Sequence, residues 1–292
     1  MSEEAEPTPI RQIREAKHQG DEEELRQDRT LGRVILTHWY SGFGRVLAGS
    51  MRRIGAVLGA REALLLTLVV GALISLALSF IASRIYDAVT ESAGVAGLDR
   101  PLLTVAMRAR SPILDAIVTG YTDIAGPVGT PIIAIAAIII LSLKRKSWTP
   151  AILITAAGLG SLLMTVAGKD IIGRHRPPLA DAVPPFEYSP SFPSGHTLNA
   201  VVIVGVVAYL LVLRQRSVGA RIVTISGAAF FAVTIGLSRV FLGHHWFTDV
   251  LAGWVLGAAW LAIIITAHRL YLTVRQSRHP ITKQENDVPQ KG

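Results

Sequence analysis

Apolar residues in this chain gather into long runs, such as Pro131 to Leu143 and Ala258 to Ala267, with short clusters of Lys and Arg between them. Six segments stand out by length and apolarity, at roughly 62–83, 122–142, 149–168, 195–213, 219–238 and 247–268. Each approaches the ~20 residues that an α-helix needs to cross a bilayer. The pattern predicts an all-α, polytopic membrane protein built on a bundle of six transmembrane helices. The nearly forty residues between the first two spans, including 101–110 and 111–120, are too polar for another crossing and predict short surface helices in the first outer loop.

The flanks read differently. Residues 1–30 are rich in Glu, Asp, Arg and Gln and hold few large apolar side chains, so they predict a disordered tail. No signal peptide is expected, because the first strong apolar run begins after Arg61 and further spans follow it. Residues 31–61 carry five arginines and no acid. There Phe43, Val46, Leu47, Met51, Ile54, Val57 and Leu58 recur at helical spacing, with Arg45 and Arg52 opposite, which predicts a basic amphipathic helix at the membrane interface. The membrane domain is then expected over 62–270 and a second tail over 271–292.

Charge orients the bundle. Lys144, Arg145 and Lys146 join spans two and three without an acid, Arg214, Arg216 and Arg221 join spans four and five, and Arg269, Arg275, Arg278, Lys283 and Lys291 follow span six. An excess of Lys and Arg marks cytoplasmic loops. Both termini are therefore expected in the cytoplasm of a cell membrane protein, with the loops after spans one, three and five outside. The net charge of +8 fits anionic headgroups better than nucleic acid, since the basic residues sit beside apolar spans. Composition agrees: 50% of residues are hydrophobic, 17% are charged, and mean hydropathy is +0.44. The absence of cysteine excludes disulfides, thiolate metal sites and a cysteine nucleophile.

Three short patterns fall on the outer side: Lys169-Asp-Ile-Ile-Gly-Arg174-His-Arg176-Pro177, Pro193-Ser194-Gly195-His196, and Ser238-Arg239 followed by His245 and Asp249. Lys169, Arg176 and Arg239 can donate to the nonbridging oxygens of a phosphoryl group, whose transition state spreads negative charge over them. Ser194 offers a hydroxyl, and the amides around Gly195 open a helix and point at an anion. His245 and Asp249 are four apart and share a helix face, so the carboxylate can hold one ring nitrogen protonated while the other attacks phosphorus. His196 suits a general acid for the leaving oxygen and then a general base for water. Arg174 and Asp123 are further candidates, with headgroup anchoring and helix capping as their competing roles.

With these residues in order, the chain resembles the type 2 phosphatidic acid phosphatase (PAP2) superfamily, whose signatures are Lys-x6-Arg-Pro, Pro-Ser-Gly-His and Ser-Arg-x5-His-x3-Asp. The resemblance covers about 80 residues directly, from Lys169 to Asp249. It implies Lys169, Arg176, Ser194, Gly195 and Arg239 in phosphate binding, His196 as acid, His245 as nucleophile and Asp249 as its partner. It also implies a hydrolase that works without metal or other cofactor through a phosphohistidine. The implied substrate is a membrane lipid phosphate, first a polyprenyl pyrophosphate such as the undecaprenyl carrier, then phosphatidylglycerol phosphate or phosphatidate.

Competing readings are weaker. His245, Asp249 and His196 could ligate a metal, but Lys169, Arg176 and Arg239 would repel a dication. A lipid phosphotransferase would use the same residues and pass the group to another lipid. A transporter or flippase could bind headgroups through the arginines, yet it needs no acid, nucleophile or orienting carboxylate. A soluble haloperoxidase pocket conflicts with six apolar spans. His244 and His175 are expected to be supporting residues, Trp246, Trp254 and Trp260 packing or interface residues, and His38, His268 and His279 solvent or interface residues.

Overall fold

The computed structural model describes residues 25–31, 34–90 and 95–278. It divides into two compact units, Leu68–Thr266 and a smaller one made of Met1–Thr67 with Ala267–Gly292. Residues 1–24 of the tail expected over 1–30, and the last residues from 279, lie outside the described part.

In the smaller unit, β1 (Thr30–Leu31) pairs antiparallel with β2 (Val34–Ile35). Helix α1 (Gly42–Leu58) follows, started by Ser41, whose hydroxyl accepts from Gly44 N at 3.0 Å. It ends at Gly59, whose φ of 117° lies in a region that favours glycine. The expected amphipathic helix is present, but its apolar residues divide between two faces. Met51 is buried with Ala48 against Ala63, Leu270 and Val274, while Phe43, Val46, Val57 and Leu58 stay exposed. Gly55 permits the close approach, since a Cβ there would fall 2.4 Å from Val274 Cγ1. Two expectations are corrected here. Leu25 is buried, so the end of the segment read as a tail is packed, and His268 is fully buried beside Tyr271 instead of lying at solvent or the interface.

Helix α2 (Ala60–Thr90) stands where the first span was expected. In the larger unit the segment between the first two expected spans holds two short helices, α3 (Asp99–Arg108) and α4 (Pro112–Asp123). Ser111 caps α4 by accepting from Leu114 N, and Pro112 occupies its first turn, where a missing N–H costs nothing. Helices α5 (Gly129–Arg145), α6 (Thr149–Ile172), α7 (Gly195–Arg214), α8 (Val218–Phe241) and α9 (Phe247–Arg278) complete the order. Among the described residues, α6, α7, α8 and α9 through Ser277 are long and apolar enough to cross a membrane.

Helix α5 begins seven residues later than the run of apolar residues suggested. The segment after Asp123 instead turns, with Gly126 N bonded to Asp123 O at 3.0 Å and Pro127 next. Helix α9 runs beyond the expected end of the membrane domain because Leu270, Tyr271, Leu272 and Val274 are buried.

Small residues let the helices close. On α9, Gly253 and Gly257 are one turn apart: added Cβ atoms would lie 2.9 Å from Thr197 Cβ and 2.8 Å from Val201 Cβ of α7. Such small-xxx-small spacing brings backbones together where lipid supplies no hydrophobic force. Gly160 of α6 takes the indole of Trp260, which is 2% exposed. Helix α7 carries a π-helical stretch, Ala200–Val204, directly after Asn199, whose Oδ1 accepts from Ser161 Oγ at 2.6 Å. Local widening of this kind is frequent beside functional sites.

Candidate active site

The three sequence patterns meet at one end of α6–α9. Lys169 comes from the last turn of α6, Arg174 and Arg176 from the segment after it, Ser194 to His196 from the start of α7, Arg239 from the end of α8, and His245 and Asp249 from the entry to α9. The α8–α9 turn is tight. His244 N and His245 N both approach Arg239 O, at 3.1 and 3.3 Å, and Gly243 has φ of 71° and leaves no room for a Cβ, which would fall 2.4 Å from Asp181 O.

His245 is 2% exposed. Its Nε2 lies 3.3 Å from Arg176 Nη1, and its Nδ1 lies 3.5 Å from Asp249 Oδ2. A guanidinium can only donate, so Nε2 is the bare nitrogen and Nδ1 carries the proton. The Nδ1 contact is longer than a formed hydrogen bond, as catalytic contacts often are before substrate binds. Burial, followed by the charges of Arg176 and Arg239, holds the imidazole well below its ordinary range, so the ring is neutral. His244 is lowered too, by burial first and Arg239 next, and its Nε2 meets Val183 O at 2.7 Å.

Asp249 is fully buried and heavily bonded. Its Oδ2 accepts from Ser191 Oγ and from Trp246 N at 2.9 Å, and its Oδ1 accepts from Arg174. The Trp246 bond is half of a capping box, with an acid in the first turn reaching back to the residue that starts the helix. The cap of α9 and the orientation of the His245 partner are thus one structure.

Arg174 donates through Nη2 to Asp99 Oδ2 at 2.7 Å and through Nη1 to Thr248 Oγ1 at 2.8 Å and to Asp249. It also lies 5.8 Å above the Trp246 ring. Its donors serve other side chains, away from the histidines. Asp123 is exposed at the end of α4; its neighbours Ala125, Gly126 and Pro127 line the cavity described below, and it does not. Ser194 is fully buried, with its hydroxyl accepting from Thr197 Oγ1 at 2.9 Å and its N–H donating to Asp249 O at 3.2 Å.

Glu187 was not singled out by the sequence. Its carboxylate joins Arg176 at 2.7 Å and Arg239, and lies 3.8 Å from His244 Nδ1. Burial would raise its pKa, but Arg239 and Arg176 outweigh that and hold it at about 2. Burial lowers Arg176, and Glu187 offsets the shift. Arg239 is 1% exposed, and its Nε has no hydrogen-bond partner among the described residues. A buried donor left unsatisfied is uncommon. Lys169 Nζ reaches Ser189 Oγ at 2.5 Å. The only local signal for Glu187 was an acid seven residues before Ser194; nothing in the sequence paired it with the two arginines.

These groups close one end of a cavity of ≈ 780 Å³, which Lys169, Glu187, Gly195, His196 and His245 line together. From there its wall follows α6 through Thr165, Leu162, Gly158 and Thr155 to Ile154, facing Ile135 and Ile138 of α5. At 1.5 Å per residue, Lys169 to Ile154 is roughly 22 Å of helix. The cavity therefore has a charged head and a long apolar body.

Comparison with known proteins agrees with this architecture. The profile of the PAP2 superfamily matches residues 149–271. Phosphatidylglycerophosphatase B of Bacillus subtilis (strain 168) is 37% identical over 184 residues, which cover 61% of this chain and 87% of that protein. Among solved structures, a transmembrane PAP2-type phosphatidylglycerolphosphate phosphatase from Bacillus subtilis superposes with a TM-score of 0.55 at 29% identity, covering 72% of this chain and 98% of that one. With its three motifs gathered around one buried histidine, the chain belongs to the PAP2 superfamily and is a membrane-embedded hydrolase of lipid phosphates.

Proposed function

We propose that the protein removes the terminal phosphate of phosphatidylglycerol phosphate or a closely related lipid, through a phosphohistidine on His245. The observation that carries this is the shared cavity: a basic, histidine-bearing head continuous with an apolar slot long enough for a hydrocarbon chain. The substrate order follows the relative of 37% identity, which moves phosphatidylglycerol phosphate ahead of the polyprenyl pyrophosphate favoured from topology.

In this reading the phosphoryl oxygens take the place of the Glu187 carboxylate on Arg176 and Arg239, and the unpaired Arg239 Nε donates to one of them. Lys169 and the amides at the start of α7 complete the cradle. The His245 Nε2 lone pair attacks phosphorus, the P–O bond to the lipid breaks, and His196 protonates the departing oxygen. His196 then takes a proton from water as water attacks the phosphohistidine, which releases inorganic phosphate and restores His245. Asp249 stabilises the charge that develops on the ring.

The membrane arrangement proposed is six spans, with α2 and α5 joining the four long apolar helices. The active site then faces away from the cytoplasm and both termini lie inside. The basic residues flanking the opposite ends of α5 to α8 support this orientation. The exposed apolar side chains of α1, with the exposed Arg45 and Arg52 on the opposite side of the helix, support an interfacial position for it.

The test is phosphate release from purified protein in detergent on phosphatidylglycerol phosphate, phosphatidate and a polyprenyl pyrophosphate, with chelator present and His245→Ala as control. Release from the first at the highest kcat/KM, abolished in the variant, is the expected result. Full rate in His245→Ala would remove the mechanism, and labelled phosphate recovered in lipid would make the protein a phosphotransferase.

A further inference from the structure

Next to Asp249, and outside the lining of the cavity, stands a largely buried group of charges that the reaction described above does not use. Asp99 is the first residue of α3 and is 5% exposed. Its Oδ1 accepts from Thr248 N at 2.9 Å, and its Oδ2 accepts from Thr248 Oγ1 at 2.8 Å and from Arg174 Nη2 at 2.7 Å. The other arm of Arg174 reaches Asp249. A chain of contacts therefore runs from Asp99 through Arg174 to Asp249, whose second oxygen faces His245 Nδ1.

We infer that Asp99 is a positioning residue for the nucleophile, acting through Arg174 on Asp249. This rests on the reading of His245 as nucleophile. Two physical effects converge. The first is geometric: the N–H groups in the first turn of a helix have no partner within it. At the entry to α9, Asp249 takes the N–H of Trp246 and Asp99 takes that of Thr248, one from inside the turn and one from outside. The turn that carries Asp249 cannot roll without breaking both.

The second effect is electrostatic. An arginine paired with Asp249 alone would concentrate its charge there and weaken the pull of that carboxylate on the His245 Nδ1 proton. Asp99 shares the guanidinium, so Asp249 keeps negative charge for the ring at the moment the ring becomes positive. Arg174 also lies 5.8 Å over the Trp246 ring, which Arg100 approaches at 5.3 Å and whose Nε1 donates to His175 O at 2.9 Å, so the guanidinium has an anchored neighbour. A surface helix in the first outer loop thereby sets the basicity of a group it does not touch.

Four proteins test this: Asp99→Asn, which keeps an acceptor for Thr248 N–H but removes the charge, Arg174→Gln, the double variant, and Thr248→Val as a control for the hydroxyl contact. Measured on a lipid phosphate, Asp99→Asn is expected to lose roughly 10- to 100-fold in kcat, the loss that one charge-assisted hydrogen bond converts to, with KM and thermal midpoint held. The double variant is expected to be no slower than Arg174→Gln alone, because a relay broken once is not broken further. Thr248→Val should stay within about threefold of the parent. Wild-type kcat in Asp99→Asn, effects that multiply in the double variant, or a loss that tracks a fall in thermal midpoint would each overturn the relay. His245→Ala, run beside them, separates the cases: if it is inactive while Asp99→Asn is silent, only the relay fails, and if it is active the nucleophile assignment fails as well.

Discussion

Arg176 and His245 meet with Nη1 3.3 Å from Nε2. Because a guanidinium has no lone pair to offer, this approach leaves Nε2 as the unprotonated nitrogen and places the proton on Nδ1, toward Asp249. The same arginine that would bind phosphate thus selects the tautomer that can attack it.

Removing the carboxylate charge should separate orientation from binding. Asp249→Asn is expected to lower kcat on the order of 10³-fold, as for other orienting carboxylates, while KM changes by less than about threefold. Steady-state kinetics on a lipid phosphate decide it; a rise in KM at unchanged kcat would assign Asp249 to binding instead.

Acid should affect stability before it affects the nucleophile. Folded His245 sits well below the ordinary imidazole range while the unfolded ring titrates near 6.5, so the unfolded state takes up the proton that the folded one refuses. Stability is complete above about pH 6.5 and declines as pH falls below it. The thermal midpoint in detergent should drop between pH 7 and 5, and by less in His245→Gln. The profile of kcat/KM should show no limb from His245 there, and any inflection near 6 should move when the lipid phosphate is changed.

Glu187, held at about 2, remains charged throughout that range, and in the proposed mechanism it competes with phosphate for Arg176 and Arg239. Glu187→Gln should therefore tighten inhibition by inorganic phosphate by roughly 3- to 10-fold, in line with removal of one charged contact. Weaker inhibition would show that the carboxylate builds the phosphate site instead of occupying it.

The slot along α6 makes a prediction about chain length. Gly158 lines it, and an added Cβ would meet only Ile203 Cδ1 at 3.8 Å, so the backbone tolerates a side chain. Gly158→Leu should raise KM for long-chain lipid phosphates about tenfold and leave a short-chain analogue nearly unaffected, since it fills space and touches no charged group. Equal effects on both would place the hydrocarbon elsewhere.

Packing gives a final check. An added Cβ on Gly253 would come 2.9 Å from Thr197 Cβ and 3.1 Å from the Ser194 carbonyl. Gly253→Ala should cost about 1–3 kcal/mol of stability by overpacking, read as a lower thermal midpoint, because the second contact is backbone and cannot rotate away.

Much of the site was legible in the chain. His245 and Asp249 follow from four-residue spacing on a helix, and Lys169, Gly195 and His196 do face the cavity. Arg174 and Arg176 show the limit, because they are two residues apart with equal chemistry. Only the fold sends one to His245 and Glu187 and the other to Asp99 and Asp249. Likewise the apolar run from residue 122 predicted a helix start, but the turn at Asp123 and Gly126 placed it at Gly129.

Sequence by itself determined the class of protein, most of the helices and the candidate reacting groups, because hydropathy and i, i+4 spacing are local properties of a chain. Tertiary structure alone decided which carboxylate meets which cation. Asp99 lies 75 positions from Arg174, and Glu187 lies 52 from Arg239. Pairings over such distances depend on how helices pack, through glycines at 160, 253 and 257, and no local pattern encodes them.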